Sequence, residues 1–456
     1  MHKFISTLVL IAYVNDLDAF VPEVWAQESL MILENNMVAA NLVHRDFENE
    51  IAQFGDVVNT RKPAKFTMQR KNVNDSVTVQ DATASNVAVK LDQHLHTSFL
   101  IRDGEESKGM TSMVQTYLRP ALLSLAEGID QIVLGQVYKF MANSVGKAGT
   151  AVSKTTVIDA REKLTQLLCP MGGRNLIITP NMEGTLLGIG DFTTAEKIGD
   201  DGSVMREGSM GRRFGFDIFT CQQAPSVVNA AATAAGAVNN GAGYAAGTKT
   251  LTVDGFAAAI TNGSWVTIDG QPDLVVSTVG GATPTSITTL YGLRQPVVDN
   301  AVIVVVRPAQ VNNAGGYANG WEKKIIYDTQ TPIKPGQLVS YGVAGRVHSA
   351  LAATSGTEVL LDRPTEATLA DNDVLGLGPS GEFGFAFHRN ALGLITRPLA
   401  MPRAGSGALS AIAAYNGLGL RVVITYDGNQ QGHLVTIDML AGVKEYDTSL
   451  GVPFLG

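Results

Sequence analysis

The stretch from Gly109 to Ser144, GMTSMVQTYLRPALLSLAEGIDQIVLGQVYKFMANS, carries the longest helical pattern in the chain, and the other segments read as attachments to it. Apolar residues fall at Met110, Met113, Val114, Tyr117, Leu118, Ala121, Leu122, Leu125, Ile129, Ile132, Val133, Val137, Phe140 and Met141, the three-and-four spacing of one helix face. At 1.5 Å per residue this spine would run about 50 Å, longer than an ordinary compact domain needs. Pro120 removes one backbone hydrogen bond and predicts a kink in the first third. Gly128 and Gly135 either weaken the helix or let another segment come close. Taken alone, the pattern suits the core helix of an α/β enzyme; its flanks point elsewhere.

Immediately before the spine, 54–103 reads as a long β-hairpin. Val57-Val58-Asn59-Thr60-Arg61, Lys65-Phe66-Thr67-Met68, Ser76-Val77-Thr78-Val79 and Val87-Ala88-Val89-Lys90-Leu91 suit strands, His94 to Phe99 continues the alternation, and the polar tracts between are turn material. Its tip holds few large apolar side chains. A two-stranded ribbon is marginal in water by itself, so it needs a neighbour, and another copy of the chain is the expected one. Further upstream, Pro22-Glu23 opens a helix ending near His44, with Val24, Leu30, Leu33, Met37, Val38 and Leu42 on a face it cannot bury alone. Residues 1–20 read as an apolar arm.

Downstream, Thr155 or Thr156 caps a helix to about Leu168, Asn175–Thr179 is a buried strand, and Pro180 opens a short helix. Gly199–Gly215 is a long glycine- and arginine-bearing loop, and Gly215–Thr220 returns as a strand. Composition then shifts: Ala230–Gly247 is rich in Ala, Gly and Asn and reads as a linker. A weak repeat follows, Gly263-Ser264-Trp265-Val266-Thr267 with Asp299-Asn300, then Gly336-Gln337-Leu338-Val339-Ser340 with Asp371-Asn372. Each copy suits a small β-barrel or sandwich unit. From Gly384 the chain is mostly strand. The divisions are 1–53 (arm and short helix), 54–108 (hairpin), 109–157 (spine), 158–224 (α/β unit, first part), 225–380 (β insertion) and 381–456 (returning strands).

The 456 residues allow about three domains. Only 17% are charged, below the roughly 25% of an ordinary soluble domain, which suits a surface buried against other subunits. A net charge of −8 makes the whole chain no electrostatic partner for nucleic acid. Cys169 and Cys221 have no metal-ligand spacing and read as buried thiols, with a single disulfide the alternative. Lys3 followed by Phe4–Tyr13, with Val24-Trp25-Ala26 as a cleavage site, has the form of a secretory signal. That run is too short to span a membrane, and cleavage after Ala26 would cut open the helix from Pro22.

Five segments, in order, carry a resemblance: Ser29–Asn36 running to Val43-His44-Arg45-Asp46-Phe47; Gly55–Pro63; Val89-Lys90-Leu91-Asp92-Gln93-His94; Phe385-Ala386-Phe387-His388-Arg389-Asn390-Ala391; and Ile437–Lys444. With the element order, they make the chain resemble the major capsid (coat) protein of tailed bacteriophages, in the subgroup with a β insertion. The insertion matches in placement, not in motif, and residues 1–20 match nothing. The resemblance implies an α+β tailed-phage capsid fold with N-terminal arm, long hairpin loop, spine helix, α/β axial domain and inserted β-barrel-like domain. It implies a virion shell protein without catalysis or cofactor, assembled in the host cytoplasm as pentamers and hexamers around double-stranded DNA bound without sequence specificity. A separate scaffolding protein, a portal and decoration proteins are its implied partners.

The basic cluster Arg61, Lys62, Lys65, Arg70 and Lys71 lies on the hairpin and is the candidate intersubunit contact, pairing with acids of an adjacent copy. It lacks the interleaved aromatics of a nucleic-acid surface. His94 and His96 fall on one side of a strand but have no third ligand nearby, so they read as surface histidines, not a metal site. No phosphate loop, nucleophile elbow or defensible nucleophile and base pair appears. The competing expectations are a secreted or surface β-rich protein binding glycan, and, more weakly, an intracellular α/β enzyme.

Overall fold

The computed structural model describes residues 22–45, 56–61, 68–74, 76–77, 86–102, 117–193, 210–227, 232–318, 324–328, 332–342, 346–355, 357–403, 407–415 and 417–456. The expected arm, the tract 62–67, the first part of the spine at 109–116 and most of the loop before Gly215 fall outside them.

The spine begins, within these residues, with a π-type turn at Tyr117–Leu118, continues as α-helix Arg119–Leu134 and tightens to 3-10 form over Gly135–Asn143. Pro120 sits in the first turn of the α-helix, directly after the π-type turn. Leu122, Leu125, Ile129 and Val133 are buried in the main core.

The tail helix, Pro22–Asn36, overturns an expectation. It is partnered within the chain: Trp25, Ala26, Leu30 and Leu33 pack into the same core, against the spine and the strands Leu409–Tyr415 and Leu418–Asp427. It also ends at Asn36, not His44; a single turn, Ala39–Leu42, follows, and His44 is hydrogen-bonded through its backbone to Leu392 and Leu394. Burying a large aromatic and two leucines is worth several kcal/mol, enough to hold a four-turn helix that could not persist alone.

The hairpin needs a second correction. Its stem is Val57–Arg61 paired antiparallel with Asn86–Lys90. Ser76 and Val77 lie outside any strand. Gln93–Arg102, expected to prolong the ribbon, instead joins a five-stranded sheet of this chain by pairing with Gly432–Ala441. The partner is a 14-residue strand, Gly432–Glu445, long enough to template it, and Ile101 is buried there. The stem is anchored too: Val89 and Leu91 are fully buried with Ile395.

In the α/β unit, helix Lys154–Gln166 is capped by Ser153, whose hydroxyl accepts from the Thr156 backbone N–H while the Thr156 hydroxyl accepts from that of Ser153. The expected cap, Thr155 or Thr156, is thus the responding half of the capping box. Arg174–Ile178 is buried throughout and runs parallel to Phe216–Thr220, and Thr179 caps Pro180–Leu187. Cys169 and Cys221 are buried free thiols, so no disulfide joins them.

The expected linker at 230–247 contains a strand, Ala232–Val238, of a closed six-stranded barrel. Its small residues have a packing reason: a Cβ on Gly236 would sit 2.4 Å from the Phe256 ring, which closes over that strand. A second six-stranded unit follows between Ala309 and Leu377 with the same strand order. The two copies share the motif V-N-N-x-x-G-Y-A-x-G at 238–247 and 311–320. Asn240 donates to the Gly243 carbonyl (2.7 Å) as Asn313 does to Gly316 (2.9 Å). Asp299 and Asp371 accept from the backbone N–H of these asparagines at 2.8 and 2.9 Å, and the Tyr244 and Tyr317 hydroxyls accept from Thr252 and Ile326. Asn300 and Asn372 both take left-handed φ, 59° and 65°. The units are tandem copies of one barrel.

Candidate interaction surface and its buried anchor

Of the five basic residues singled out by sequence, Arg70 and Lys71 are exposed in the described segment 68–74. The Arg61 backbone belongs to the stem, and Lys62 and Lys65 lie outside the described residues. The structure therefore brings two of the five together. It adds what sequence reasoning missed on this ribbon: Met68, Val73 and Val77 are 84, 98 and 71% exposed. Scattered among Gln, Arg, Lys and Asn, they form no alternating pattern.

At the root of the ribbon the spine meets the second barrel through a buried polar network. Arg363 reaches Asp362 (2.8 Å), Glu366 (2.9 Å), the Tyr138 hydroxyl (2.5 Å) and the Val347 carbonyl (2.6 Å). His348 Nδ1 lies 3.2 Å from Asp362, and its Nε2 lies 2.7 Å from the Tyr341 hydroxyl, which accepts from the Glu366 N–H at 2.6 Å. This fixes the proton arrangement: Tyr341 donates to Nε2, and Nδ1–H donates to Asp362. His348 and Asp362 are sealed from solvent, so this histidine and acid pair is structural and presents no nucleophile to a substrate.

Burial, helped by Arg363, holds the His348 imidazole below its usual pKa. Burial alone would raise Asp362 and Glu366, but the Arg363 guanidinium and the His348 ring hold both below the usual carboxylate range. Every shift has the same sign for stability: the unfolded chain binds each proton more readily than the folded one. His348 therefore contributes stability that is complete above about pH 6.5 and declines as pH falls towards its folded value, at up to about 1.4 kcal/mol per pH unit. Urea midpoints between pH 7 and 5 should fall in the wild type, and His348→Gln should flatten that dependence; equal slopes would remove His348 from the account.

Gly135 lets this network form. A Cβ there would stand 2.6 Å from Asp362 Oδ2, whereas one on Gly128 would meet nothing within 4 Å. The two glycines should respond oppositely to alanine. Gly128→Ala is expected to stabilise by up to about 1 kcal/mol through helix propensity, and Gly135→Ala to destabilise by about 1–3 kcal/mol through overpacking. Thermal melts of both variants check the pair. One turn before Gly135, the buried Asp130 accepts the backbone N–H of Val38 (2.8 Å) and Ala40 (2.9 Å), fixing the tail to the spine.

Among the described residues, no group of three or more His, Cys, Asp or Glu is placed to hold a metal. His94 lies 3.5 Å from Asp438, which Arg421 grips bidentately, so it belongs to a sheet-surface ion cluster. No described helix is long and apolar enough to cross a membrane.

These elements define a mixed helix and sheet protein with a closed barrel, a tandem second copy and an anchored ribbon. No protein-family model matches the chain, and no curated protein does. Solved structures similar to it include phage capsids. One from Mycobacterium phage Che8 is 13% identical, with 92% of this chain and 90% of that one covered and a TM-score of 0.41. The capsid of Ralstonia phage GP4 is 9% identical (91 and 87% covered, TM-score 0.41), and that of cyanophage P-SCSP1u 11% (90 and 85%, 0.39).

Proposed function

We propose that this chain is the major capsid protein of a tailed phage, a non-catalytic subunit that assembles into an icosahedral shell around double-stranded DNA. The observation that carries the reading is the exposed ribbon segment 68–77. Its three apolar side chains stand almost wholly in solvent, on a stem whose own root is packed into the body. Three large apolar side chains left exposed within ten residues make this a segment that gains by being covered. A copy of the same chain is the occupant, in contacts that close into pentamers and hexamers, and many such contacts add to a durable shell. The five ordered capsid-like segments support the same reading, with the arm at 1–20 as a second reaching element.

In this reading the acidic balance leaves packaged DNA free of the wall. Arg70 and Lys71 meet acids of the adjoining copy, along with Arg61, Lys62 and Lys65. A scaffolding protein, a portal and decoration proteins are the further partners, and the particle is built in the host cytoplasm. Export with cleavage after Ala26 is disfavoured because it would cut the helix Pro22–Asn36 and remove the buried Trp25 and Ala26 from it. Sedimentation velocity with negative-stain microscopy tests the reading: purified chain, with scaffold where required, should give closed particles in the megadalton range. A monodisperse monomer under all such conditions would overturn it.

A further inference from the structure

The two barrels stack head to tail, and because they are copies the stacking can be followed residue by residue. Gly263 of the first barrel sits on the second: its carbonyl accepts from the Ser340 hydroxyl at 3.1 Å, and a Cβ on Gly376 would collide with it. Gly336, the counterpart of Gly263, sits on the body in turn, where an added Cβ would stand 3.1 Å from the Ser226 carbonyl oxygen. Each barrel thus has a glycine end that seats on what lies beneath it and a sheet face that can receive the next unit. In the second barrel that face holds Ser340, Gly376, Val374 and Gln310. The first barrel rests on it, leaving a cleft of about 420 Å³ between the two at Val374 and Gln310. Strand pairing fixes the equivalent positions in the first barrel: Thr267 pairs with Val304 as Ser340 does with Gly376, and Ala237 with Val302 as Gln310 does with Val374. There Val302 is 58% exposed, Ala235 is exposed, and Ala237, Val304 and Thr267 are half-buried. Neither glycine end is left to fill this face, since both are in use. Stacked repeats are ordinarily ended by a unit with a polar outer face; this end face is alanine, valine and threonine, none of them ionisable.

We propose that this face of the first barrel meets the same face of a second copy across a two-fold axis. Val304 stands where Gly376 does, so the close approach of a glycine carbonyl is not repeated; a flat apolar sheet face suits another such face packed upon it. A face without charge is complementary to itself, as an isologous contact requires. At its borders Lys147 is matched by Asp269 at 2.7 Å, and Asp254 stands exposed opposite Ala237. An axis along the strand Val302–Val306 carries the two Asp254 carboxylates to opposite edges of the contact, four strand spacings or ~20 Å apart, beyond the screening length. Five small side chains fall well short of the roughly 800 Å² per partner that a stable complex buries. The face therefore holds neither a soluble partner nor a dimer in dilute solution, and it closes when copies are already tethered. The contact rests on the shell reading, which supplies the tether.

Cross-linking with a short bismaleimide tests the contact, because both native thiols, Cys169 and Cys221, are buried. Particles of Val302→Cys should give covalent dimers on a denaturing gel. Val279→Cys, 64% exposed on the far side of the closed barrel, should stay monomeric. Dilute Val302→Cys chain should also stay monomeric. Val302→Glu and Val302→Lys should each lower the urea midpoint for particle loss, and particles mixed from the two should recover it, which a foreign occupant of the face would not allow. Two results in particles overturn the proposal: a thiol at 302 that takes a monofunctional maleimide but forms no dimer, which leaves the face open, and one that takes neither reagent, which gives the face to another partner. Should the wild type form no particles at all, the shell reading falls and the same reagent on millimolar chain decides the face. Dimers of Val302→Cys without dimers of Val279→Cys then retain the contact, and their absence overturns it.

Discussion

Arg363→Met is expected to lower the unfolding free energy by about 3–5 kcal/mol, the cost of removing one partner from a buried ion cluster. The guanidinium is almost fully buried and ties together Asp362, Glu366, Tyr138 and a carbonyl; without it Asp362 keeps only the neutral His348 and the Ser349 N–H. Methionine fills much of the volume but returns none of the donors. A second variant separates charge from packing: Arg363→Met with Asp362→Asn removes the stranded charge and should recover part of the loss, as coupled neighbours do. Denaturant midpoints at pH 7 read both. A loss under about 1 kcal/mol for the single variant would mean that the cluster is solvated and that spine and second barrel are joined mainly by apolar packing.

The other large effect concerns the ribbon. Replacing 68–77 with a Gly-Ser segment of equal length should leave the melting temperature within a few degrees of wild type and abolish particles. The described side chains among those replaced are exposed, and surface substitutions away from packed features usually change stability by no more than about 0.5 kcal/mol. The stem strands and the Val89, Leu91 and Ile395 cluster stay in place. A milder variant, Val73→Asp, should shift assembly to higher protein concentration. Particles that form normally from the Gly-Ser chain would remove the ribbon from the interface. A chain that unfolds instead would show that the ribbon belongs to an internal sheet.

Local signals in the sequence translated well where local physics decides. The three-and-four spacing locates the spine, Pro180 opens its helix, and the two D-N turns take the left-handed geometry that asparagine tolerates. What failed was partnership. Alternation in 93–99 identifies a strand but cannot say that its partner lies at 432–441, more than three hundred residues away. The partner of the tail helix is hidden for the same reason, since the sheet that covers it is built from the far end of the chain. The Ala- and Gly-rich run at 230–247 reads as a linker because small residues usually mean turns; here they make room for Phe256. The duplicated barrel is legible in the V-N-N-x-x-G-Y-A-x-G motif, a sharper mark than the Gly-strand pattern at Gly263 and Gly336. The Arg363 cluster was out of reach because its members come from separate segments, and Asp362-Arg363-Pro364 looks like any polar turn.

The barrels leave and rejoin the body at one place: Gly381 is paired with Val227, and Glu382 with Ser226. A two-residue rung therefore spans the gap between the severed ends, and everything threaded between them is an appendage on a closed loop. An inserted foreign domain whose termini lie one strand spacing apart, about 5 Å, could be spliced at that rung without stretching the sheet beneath. It would, however, bare the spine face that Arg363 now covers at Tyr138. The graft would need its own greasy or basic underside to seat there, which sets a design rule for decorating this protein from within its own chain.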